Sequence, residues 1–451
     1  MKKAYIILLL VICTLPLLLT PIFGETSSAE KRELAAFPSL FEDGAFNASF
    51  SEDLDDWIAD HFIFRSELIT ANNSLKASLF GTSDEDQVIV GKSDWLYFSQ
   101  TTDDYLGLNP LSESDIGRIS STLELVSEYV EAQGSRFVFA AAPNKNTLYP
   151  ENMPAYYRKT DQPTNLDRLS AALTGRSYFA DLRSALQSMQ EQSYHARDSH
   201  WNNLGALCGY NVLMDTAGKP HETFADASWE WKKTWDGDLD AMIFPSLGYK
   251  DEQAVFDIDW TYRYTSNFHS EEDVLITTEN PEAEGSLLIF RDSFSNALLP
   301  FLAQSYGTAR FSRATPYSLY ELENASYDTV IIEIVERNLH NLLLSAPVMP
   351  APERTPLEQD VAVQNAVVRT RQLNGMQHFY GYLEDTADTG ADPIYLQFSR
   401  GDSVWYAEAF PLCESALLGD EPQGRQGFSA YIPAERCDGY TVSVVMPAGD
   451  R

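Results

Sequence analysis

Two short polar segments of the sequence contain the parts that serine acyl-transfer chemistry needs. Residues 198–201 read Asp-Ser-His-Trp, which places a carboxylate two residues before an imidazole. Residues 291–294 read Arg-Asp-Ser-Phe and follow the apolar run 287–290, so Ser293 stands where a buried strand ends. A serine hydroxyl becomes a good nucleophile only when an imidazole takes its proton and a third group orients that imidazole. The two segments therefore predict a serine esterase or O-acyltransferase.

Each of these parts also has an alternative interpretation. Ser293 lies where a strand passes into a helix, and serine is a favoured N-cap at such a position. Asp198 and His200 form, with His195, the pattern His-x-x-Asp-x-His, which offers three metal ligands in six residues. A catalytic metal site normally takes another ligand from elsewhere, and no remaining histidine stands in a comparable motif. We therefore predict no metal and no cofactor, and His195 is more simply a surface residue.

An alternation of helix and strand patterns indicates how the two segments are positioned. Apolar residues recur at helical spacing in the segments 116–130, 166–173, 204–214 and 317–322. Short apolar runs at 137–142, 178–180, 287–290 and 329–334 read as buried strands. Such alternation is typical of an α/β fold, so we predict a flavodoxin-like, mainly parallel sheet with helices on both faces.

Polar residues follow three of the predicted strands and therefore gather at one sheet edge. Residues 143–145 read Pro-Asn-Lys, and the segments 291–293 and 333–337 follow two other strands. Active residues of parallel sheets collect at the carboxyl ends of the strands. Candidate residues for substrate or oxyanion contacts are Asn144, Lys145, Trp201 and Arg291. Trp201 either covers the imidazole beside a sugar-sized pocket or packs beneath the following helix, and the default for Lys145 is a solvated side chain.

The charge of the chain restricts its partners. The sequence has 66 Asp and Glu against 32 Lys and Arg, for a formal net charge of −34. Nucleic acid is an unsuitable partner because its phosphates require clustered Lys and Arg. The field also disfavours a densely anionic polymer as substrate and suits a neutral or amino-bearing glycan better. An alternative is that the charge only keeps the protein soluble.

The chain divides into an export segment, an arm, a body and a C-terminal module. Lys2 and Lys3 precede an apolar run from 4 to 23, which is typical of an export signal, and the positive-inside tendency then leaves the rest of the chain outside. The predicted segments are a signal peptide or N-terminal membrane anchor (1–28), a helical arm packing on the body (29–85), the α/β domain (86–346), a Pro-rich linker (347–357) and a small β-sandwich-like module (358–451). In an exported module, Cys413 and Cys437 either form a disulfide or remain free thiols.

The order of the motifs resembles the SGNH-hydrolase-like proteins that include the alginate O-acetyltransferases, in particular the DHHW family of exported bacterial proteins. The matching features are the N-terminal anchor, the aromatic arm at 60–65, Gly91-Lys92 before Trp-Leu-Tyr, Pro143-Asn144-Lys145, and the segments 198–201 and 291–294. Asp-x-His stands ahead of the serine, in a permuted order relative to ordinary GDSL esterases. Two positions depart from the pattern: Ser199 replaces a second histidine, and Arg291 stands where GDSL proteins have glycine.

The resemblance implies Ser293 as nucleophile, His200 as general base and Asp198 as its orienting group. It implies an SGNH-like fold and an exported O-acetyltransferase or acetylesterase that acts on a cell-surface or secreted polysaccharide, with a membrane-bound acyl donor as a further partner. The side chain of Ser199 is expected to point away from the imidazole. Because Arg291 departs from the GDSL pattern, the oxyanion donors do not follow from the resemblance, and the Ser293 backbone N–H and Asn144 are candidates for them. The alternative is a catalytically degenerate scaffold that binds glycan, through Trp405 and Tyr406 for example, or organises a surface assembly.

Overall fold

A computed structural model describes residues 34–42, 44–355, 360–363, 365–373, 375–384, 393–413 and 425–447, together with the isolated positions 11, 14, 19 and 20. The predicted signal peptide or membrane anchor, residues 1–28, lies outside the continuous described ranges. None of the helices in the described ranges combines the length and the apolar composition that crossing a bilayer requires.

Helices and strands alternate through the first three quarters of the chain, and strands dominate the remainder. The helices are α1 (Phe50–His61), α2 (Arg65–Phe80), α3 (Thr102–Leu106), α4 (Glu113–Ala132), α5 (Lys145–Leu148), α6 (Asn165–Leu173), α7 (Leu182–Gln187), α8 (Asn203–Ala217), α9 (Asp238–Ile243), α10 (Leu299–Ser305), α11 (Asn341–Leu344) and α12 (Ala434–Cys437). Short 3₁₀ helices cover Ser99–Thr101, Pro150–Asn152, Ser293–Asn296, Leu319–Glu323 and Glu336–Asn338. The segment 317–322, predicted as a helix, therefore forms only the 3₁₀ helix at Leu319–Glu323.

The strands fall into two large sheets and three small hairpins. In chain order they are β1 (Phe41–Glu42), β2 (Ala45–Phe46), β3 (Val88–Val90), β4 (Leu96–Phe98), β5 (Arg136–Ala142), β6 (Phe179–Ala180), β7 (Trp229–Trp235), β8 (Asp251–Phe256), β9 (Arg263–Tyr264), β10 (Leu275–Glu279), β11 (Ser286–Phe290), β12 (Thr308–Ser312), β13 (Thr329–Val335), β14 (Glu353–Arg354), β15 (Asp360–Ala362), β16 (Ala366–Leu373), β17 (Met376–Leu383), β18 (Ile394–Arg400), β19 (Ser403–Cys413), β20 (Gln426–Pro433) and β21 (Thr441–Pro447). The hairpins are β1–β2, β3–β4 and β7–β8.

The described strands of the body form a seven-stranded mixed sheet in the order β6-β5-β13-β11-β12-β10-β9. The pairings from β6 to β12 are parallel, whereas β10 pairs antiparallel with both β12 and β9. The sheet is therefore mixed: four of its six pairings are parallel, and the antiparallel edge of β10 and β9 was not part of the prediction. Residue patterns indicate which segments are strands and which face is buried, but they do not encode strand direction, so the antiparallel edge was missed.

Helices cover both faces of this sheet, as the alternation of helix and strand predicted. Along β13, Val330 and Ile332 pack with the α4 side chains Leu123 and Val126. Ile331, between them in sequence, packs on the other face with residues of α8 and α10 such as Leu213. Successive side chains of a strand point to opposite faces, so this arrangement buries β13 on both sides. The result is a rigid central strand whose carboxyl end lies beside the candidate site.

The C-terminal strands form one antiparallel sheet rather than two separate sheets of a sandwich. Its order is β15-β21-β18-β19-β20-β17-β16, and β14 also pairs with β19. The first part of β19 pairs with β18 and its last four residues pair with β20, so the sheet curls about this strand. Trp405 stacks on Phe398 at 4.1 Å between ring centroids, and Tyr406 is buried, which places both aromatics in the packing of the module.

Two predictions about the C-terminal region change with the structure. Part of the predicted linker 347–357 is built into the sheet, because Glu353–Arg354 is the strand β14. No disulfide joins Cys413 and Cys437. The Cys413 thiol instead lies 3.8 Å from Asp115 Oδ1, and the Cys437 thiol contacts the Pro433 carbonyl.

The helical arm packs on the body through its second helix. Asn73 of α2 donates a hydrogen bond to the Ile243 carbonyl, and the Thr70 hydroxyl accepts one from the Ser246 N–H. Helix α1 has no fully buried residue; Trp57 packs edge-on against Phe37 and stacks on His61 within the arm itself. His61 is thus a packed face residue, as its position in the helical pattern predicted.

Candidate active site

Three neighbouring parallel strands, β5, β13 and β11, end at the same edge of the sheet and supply the turns on which the site is built. Two buried glutamates join these turns. Glu336 accepts hydrogen bonds from the Asn144 N–H at 2.7 Å and the Thr147 hydroxyl at 2.7 Å, and Glu333 accepts one from the Ser295 hydroxyl at 2.7 Å. Burial raises the pKa of Glu336 to about 8 and raises that of Glu333 well above its ordinary value. The three strand ends are therefore fixed to one another by buried hydrogen bonds.

The structure brings Ser293, His200 and Asp198 into one hydrogen-bonded chain. The distance from Ser293 Oγ to His200 Nε2 is 2.8 Å, and that from His200 Nδ1 to Asp198 Oδ1 is 2.7 Å. Ser293 begins the 3₁₀ helix after β11, and His200 lies on the loop before α8, so 93 residues of chain separate the pair. The Ser293–His200 distance lies within the range in which a base can take a hydroxyl proton, and the His200–Asp198 distance is that of a hydrogen bond.

The Asp198 carboxylate is fully engaged, which fixes its position. Oδ1 accepts the His200 backbone N–H at 2.8 Å in addition to the imidazole, and Oδ2 accepts the Trp235 indole N–H and the Asp238 backbone N–H, both at 2.9 Å. Burial alone would raise the pKa of Asp198, but the charge and hydrogen bond of His200 hold it well below its ordinary value. Asp198 is therefore ionised across the working pH range and can stabilise an imidazolium.

A second carboxylate, Asp238, stands beside the imidazole and was not predicted from the sequence. The Ser199 hydroxyl donates to Asp238 Oδ2 at 2.6 Å and lies 3.2 Å from His200 Nδ1, while Asp238 Oδ2 itself lies 3.6 Å from that nitrogen. The expectation that the Ser199 side chain points away from the imidazole is therefore wrong. Asp238 belongs to no recognisable motif, and its only sequence signal is an acidic residue in the first turn of a short helix.

Replacing Asp238 by asparagine is expected to shift the pH dependence of any His200-dependent reaction. Burial lowers the pKa of His200, but the charge and hydrogen bond of Asp198 and the charge of Asp238 outweigh it and raise the pKa above its ordinary value. The unprotonated imidazole is the base, so removing the Asp238 charge lowers the pKa and moves the rising limb of the kcat/KM profile to lower pH. Asp236→Asn is the control, because Asp236 is exposed and paired with Lys250. An unmoved limb in Asp238→Asn would contradict this role.

Lys145, a candidate for substrate contact, instead fastens the loop that carries Asp198. Its ammonium donates to the carbonyl oxygens of His195, Ala196 and Asp198 at 2.9, 2.8 and 2.7 Å. The side chain is only 4 % exposed, and burial lowers its pKa to about 7. Lys145 is thus neither a solvated surface lysine nor a residue that a substrate can reach.

The Arg291 and Trp201 side chains also hold the site in position, through hydrogen bonds and packing. The Arg291 guanidinium is buried and donates to Asn296 Oδ1 at 2.6 Å and to the Glu271 carbonyl at 2.6 Å, which ties the serine turn to the neighbouring loop. The Trp201 indole N–H donates to the Phe294 carbonyl at 2.8 Å, and its ring packs beneath α8, where a Cβ on Gly209 would lie 3.3 Å from it. Of the two interpretations of Trp201, packing beneath the helix fits its burial, although its edge also contributes to the cleft wall.

Asn144 is the one of the four candidates for which no polar side-chain atom has a hydrogen-bond partner among the described residues. The residue is 1 % exposed, and within the described residues neither its Oδ1 nor its Nδ2 has a hydrogen-bond partner. A buried carboxamide without partners costs free energy, so it is a ready donor or acceptor for a group that enters the site. Ser293 is the first residue of a 3₁₀ helix, so no carbonyl of that helix precedes it to accept its backbone N–H.

The metal ligands proposed from the sequence do not assemble as a set. His195, predicted to be a surface residue, is instead buried; its Nδ1 lies 3.0 Å from the Glu252 carbonyl, and its ring stacks on Trp235. Among the described residues, a group that could hold a cation is Asp198, His200 and Asp238, whose ligand atoms lie within 4.8 Å of one another. His200 Nδ1 and Asp198 Oδ1 already form a hydrogen bond in that group, so a cation would have to break it.

An open cleft of about 540 Å³ begins at the Ser293–His200 pair. Trp235, Thr234 and Asp236 from the β7–β8 hairpin and the following turn form one wall, and Glu271, Asn296 and Pro300 lie on the other side. Its volume is within the range of sites that take a sugar-sized ligand. The hairpin was missed in the sequence because β7 is mostly exposed and the residues of β8 do not alternate between apolar and polar.

Comparison with known proteins identifies the part of the chain that carries His200 and Asp198. Residues 88–281 match the family model described as SGNH hydrolase-like domain, acetyltransferase AlgX. This segment is similar to the SGNH hydrolase-like domain that the family model describes. The resemblance predicted from the motifs is therefore confirmed. The matched residues end before Ser293, so the role of the serine rests on the geometry.

Individual relatives of the SGNH hydrolase-like domain are distant. A probable alginate O-acetylase AlgJ from Pseudomonas syringae pv. tomato is 29% identical over 122 residues, which are 26% of this chain. The chain spans about 30% of the length of this curated relative. Similar solved structures include Bacillus cereus PatB1 with a sulfonyl adduct (18% identity, TM-score 0.43, 56% of this chain and 97% of that one) and a DHHW family protein from Eubacterium siraeum (17%, 0.42, 53% and 92%).

Proposed function

We propose that this protein is a serine-dependent O-acetyltransferase or acetylesterase that acts on a polysaccharide through an acyl-serine intermediate. The observation that carries the proposal is the hydrogen-bonded chain from Ser293 through His200 to Asp198, which opens onto a cleft. The relatives support the acyl class, since the matching family model is named for an acetyltransferase and the curated relative for a probable alginate O-acetylase. We further infer that the protein is exported and tethered by its N-terminal segment, with a membrane-bound partner as acyl donor.

The proposed reaction has two symmetrical halves. In the first, Ser293 Oγ attacks the carbonyl carbon of an acetyl ester while His200 Nε2 takes the hydroxyl proton; the donor's alcohol then leaves with that proton, and the acetyl group stays on Ser293. In the second, a sugar hydroxyl or water attacks the acetyl-serine and passes its proton to His200, which returns it to the departing Ser293 oxygen. Transfer and hydrolysis share this intermediate and differ only in the acceptor.

Two donors are proposed for the oxyanion that forms on the acyl carbonyl oxygen. The Ser293 backbone N–H lies at the proposed nucleophile itself. The Asn144 carboxamide is buried at the end of β5, which β13 separates from β11, and its N–H groups are unused among the described residues. Donors that are held in place before the reaction stabilise the developing charge without reorganisation. Asn144→Ala is therefore expected to lower kcat more than it raises KM.

Trapping the intermediate tests the proposed function. The purified full chain is mixed with a chromogenic acetyl ester and quenched in acid, and the peptides are analysed by mass spectrometry. We expect one acetyl group on Ser293 and no loss of activity with a chelator. If activity disappears with the chelator and persists in Ser293→Ala, the Asp198–His200–Asp238 group acts as a metal site instead. If the ester is not hydrolysed faster than by Ser293→Ala and no acetyl-serine forms, a glycan-binding or surface-assembly scaffold replaces the enzyme.

A further inference from the structure

We propose that the acceptor is a glycan that carries protonated amino groups, such as a glucosamine-rich polymer, and that Glu271 helps to select it. This inference rests on the proposed function, because it assigns a substrate class to the same cleft. It differs from what the curated relative's name says of that protein, since alginate is a polymer of uronates. The charges that line the cleft carry the inference.

Carboxylates dominate the lining of the cleft. None of the fifteen residues that line it is lysine or arginine. Five of them are acidic: Asp198, Asp236, Asp238, Glu271 and Glu272. Asp198 and Asp238 are directed at the imidazole, at Ser199 and at backbone N–H groups, so their charges lie at the floor of the cleft. A ligand that reaches Ser293 therefore passes through a negative field.

The acidic residues at the rim differ in their pairing, and this difference singles out Glu271. Asp236 forms an ion pair with Lys250, and Glu272 forms one with Arg313. Glu271 is exposed, and within the ranges that the structure describes its carboxylate has neither an ion-pair nor a hydrogen-bond partner. An unpaired carboxylate at the mouth of the cleft is available to an ammonium group of the ligand.

The nearby arginines do not line the cleft, and they offset its acidic lining only in part, through the charge of Arg337 near His200 and Asp238. The Arg291 guanidinium is buried and faces Asn296 and backbone carbonyls. Arg313 is paired with Glu272, and the Arg337 guanidinium lies over the rings of Phe294 and Phe98, 5.6 and 5.4 Å from their centroids, outside the residues that line the cleft. A uronate polymer brings one negative charge per sugar into this field and is repelled, whereas an ammonium-bearing sugar is attracted.

Trp235 supplies a surface for the sugar ring itself. One face of its indole stacks on His195, with 4.9 Å between centroids and 4° between planes, and its N–H is bound to Asp198. The ring is thus held rigidly in the cleft wall, where it can pack against a pyranose and attract a nearby ammonium group. A protonated amine has no lone pair with which to attack the acetyl-serine, so the amine serves recognition and a hydroxyl of the glycan accepts the acetyl group.

Isothermal titration calorimetry with three tetrasaccharides of different charge tests this inference. The full chain is titrated with glucosamine, N-acetylglucosamine and mannuronate tetramers. We expect the glucosamine tetramer to bind most tightly and the mannuronate tetramer least. Glu271→Gln is expected to weaken binding of the glucosamine tetramer about threefold, as for the loss of one exposed ion pair, and to leave the neutral tetramer unchanged. Glu282→Gln is the matched control, because Glu282 is equally exposed but is absent from the cleft lining, on the loop before β11.

Several results would overturn the inference. The first three are no binding of the glucosamine tetramer, equal affinity for all three tetramers, and tighter binding of the mannuronate tetramer. The fourth is the same loss of affinity in Glu271→Gln and Glu282→Gln, which would show that the ligand is attracted to the overall negative surface and not to the cleft. Hydrolysis of a small neutral acetyl ester by wild type but not by Ser293→Ala reports on the proposed function separately. The proposed substrate class and the proposed serine mechanism can therefore be contradicted independently of each other.

Discussion

Replacing Ser293 by alanine is expected to lower kcat/KM for a chromogenic acetyl ester by at least about 10⁴-fold, because it removes the hydroxyl that would carry the acyl group. The substitution removes one hydroxyl whose hydrogen bond goes to His200 Nε2, so the fold and the cleft are expected to survive it. The measurement is initial rates across pH 6 to 9, accompanied by thermal unfolding to confirm that stability changes by less than about 1 kcal/mol.

Ser295→Ala provides a matched control on the same turn. Ser295 is fully buried, and its hydroxyl donates to Glu333 rather than to His200. Its removal leaves a buried carboxyl group with one hydrogen bond fewer, which costs about 1 to 2 kcal/mol of stability but no chemical group of the reaction. If Ser295→Ala lost as much activity as Ser293→Ala, disruption of the turn would explain both, and the case for a nucleophile would fail.

Replacing Lys145 by methionine is expected to cost about 2 kcal/mol of unfolding free energy and most of the activity. Methionine keeps much of the apolar stem but leaves the carbonyl oxygens of His195 and Asp198 without their donor, whereas the Ala196 carbonyl keeps the hydrogen bond from the Leu96 N–H. Each buried acceptor that loses its partner costs about 1 kcal/mol or more. The same loop positions Asp198, and a displacement of about 1 Å at a catalytic group is worth roughly 10²-fold in rate.

Denaturant unfolding and kcat/KM of the Lys145→Met variant check this prediction. Lys92→Met is the control, because Lys92 is exposed and donates to a single carbonyl, that of Glu151. Its expected cost is below about 0.5 kcal/mol. Equal stability of the two variants would mean that the Lys145 ammonium does not fasten the loop.

Local patterns predicted much of the fold and the central pair of the site. The spacing of apolar residues predicted the strand at 137–142 and the helix that carries Ile119 and Val126. In the structure these are β5 and α4, respectively. The approach of Ser293 to His200 followed from a general rule, because strand ends of a parallel sheet share one edge. Neither inference required knowledge of a specific distant contact.

The features that the sequence did not reveal depend on contacts without a residue signature. Lys145 is held by three backbone carbonyls, which every residue possesses, so no side-chain pattern marks its partners. Asp238 reaches Ser199 across 39 residues, from a helix start that resembles any other acidic first turn. The direction of β10 depends on its pairing with β12, which the alternation of its own residues does not specify.

The hydrogen bond from the Trp201 indole to the Phe294 carbonyl joins the residue after the proposed base to the residue after the proposed nucleophile. This contact fastens the loop before α8 to the turn after β11. If His200 and Ser293 react as proposed, their alignment is established when the chain folds and not at each turnover. It follows that the first turnover should begin without a lag, and that loss of activity on heating should coincide with global unfolding rather than precede it.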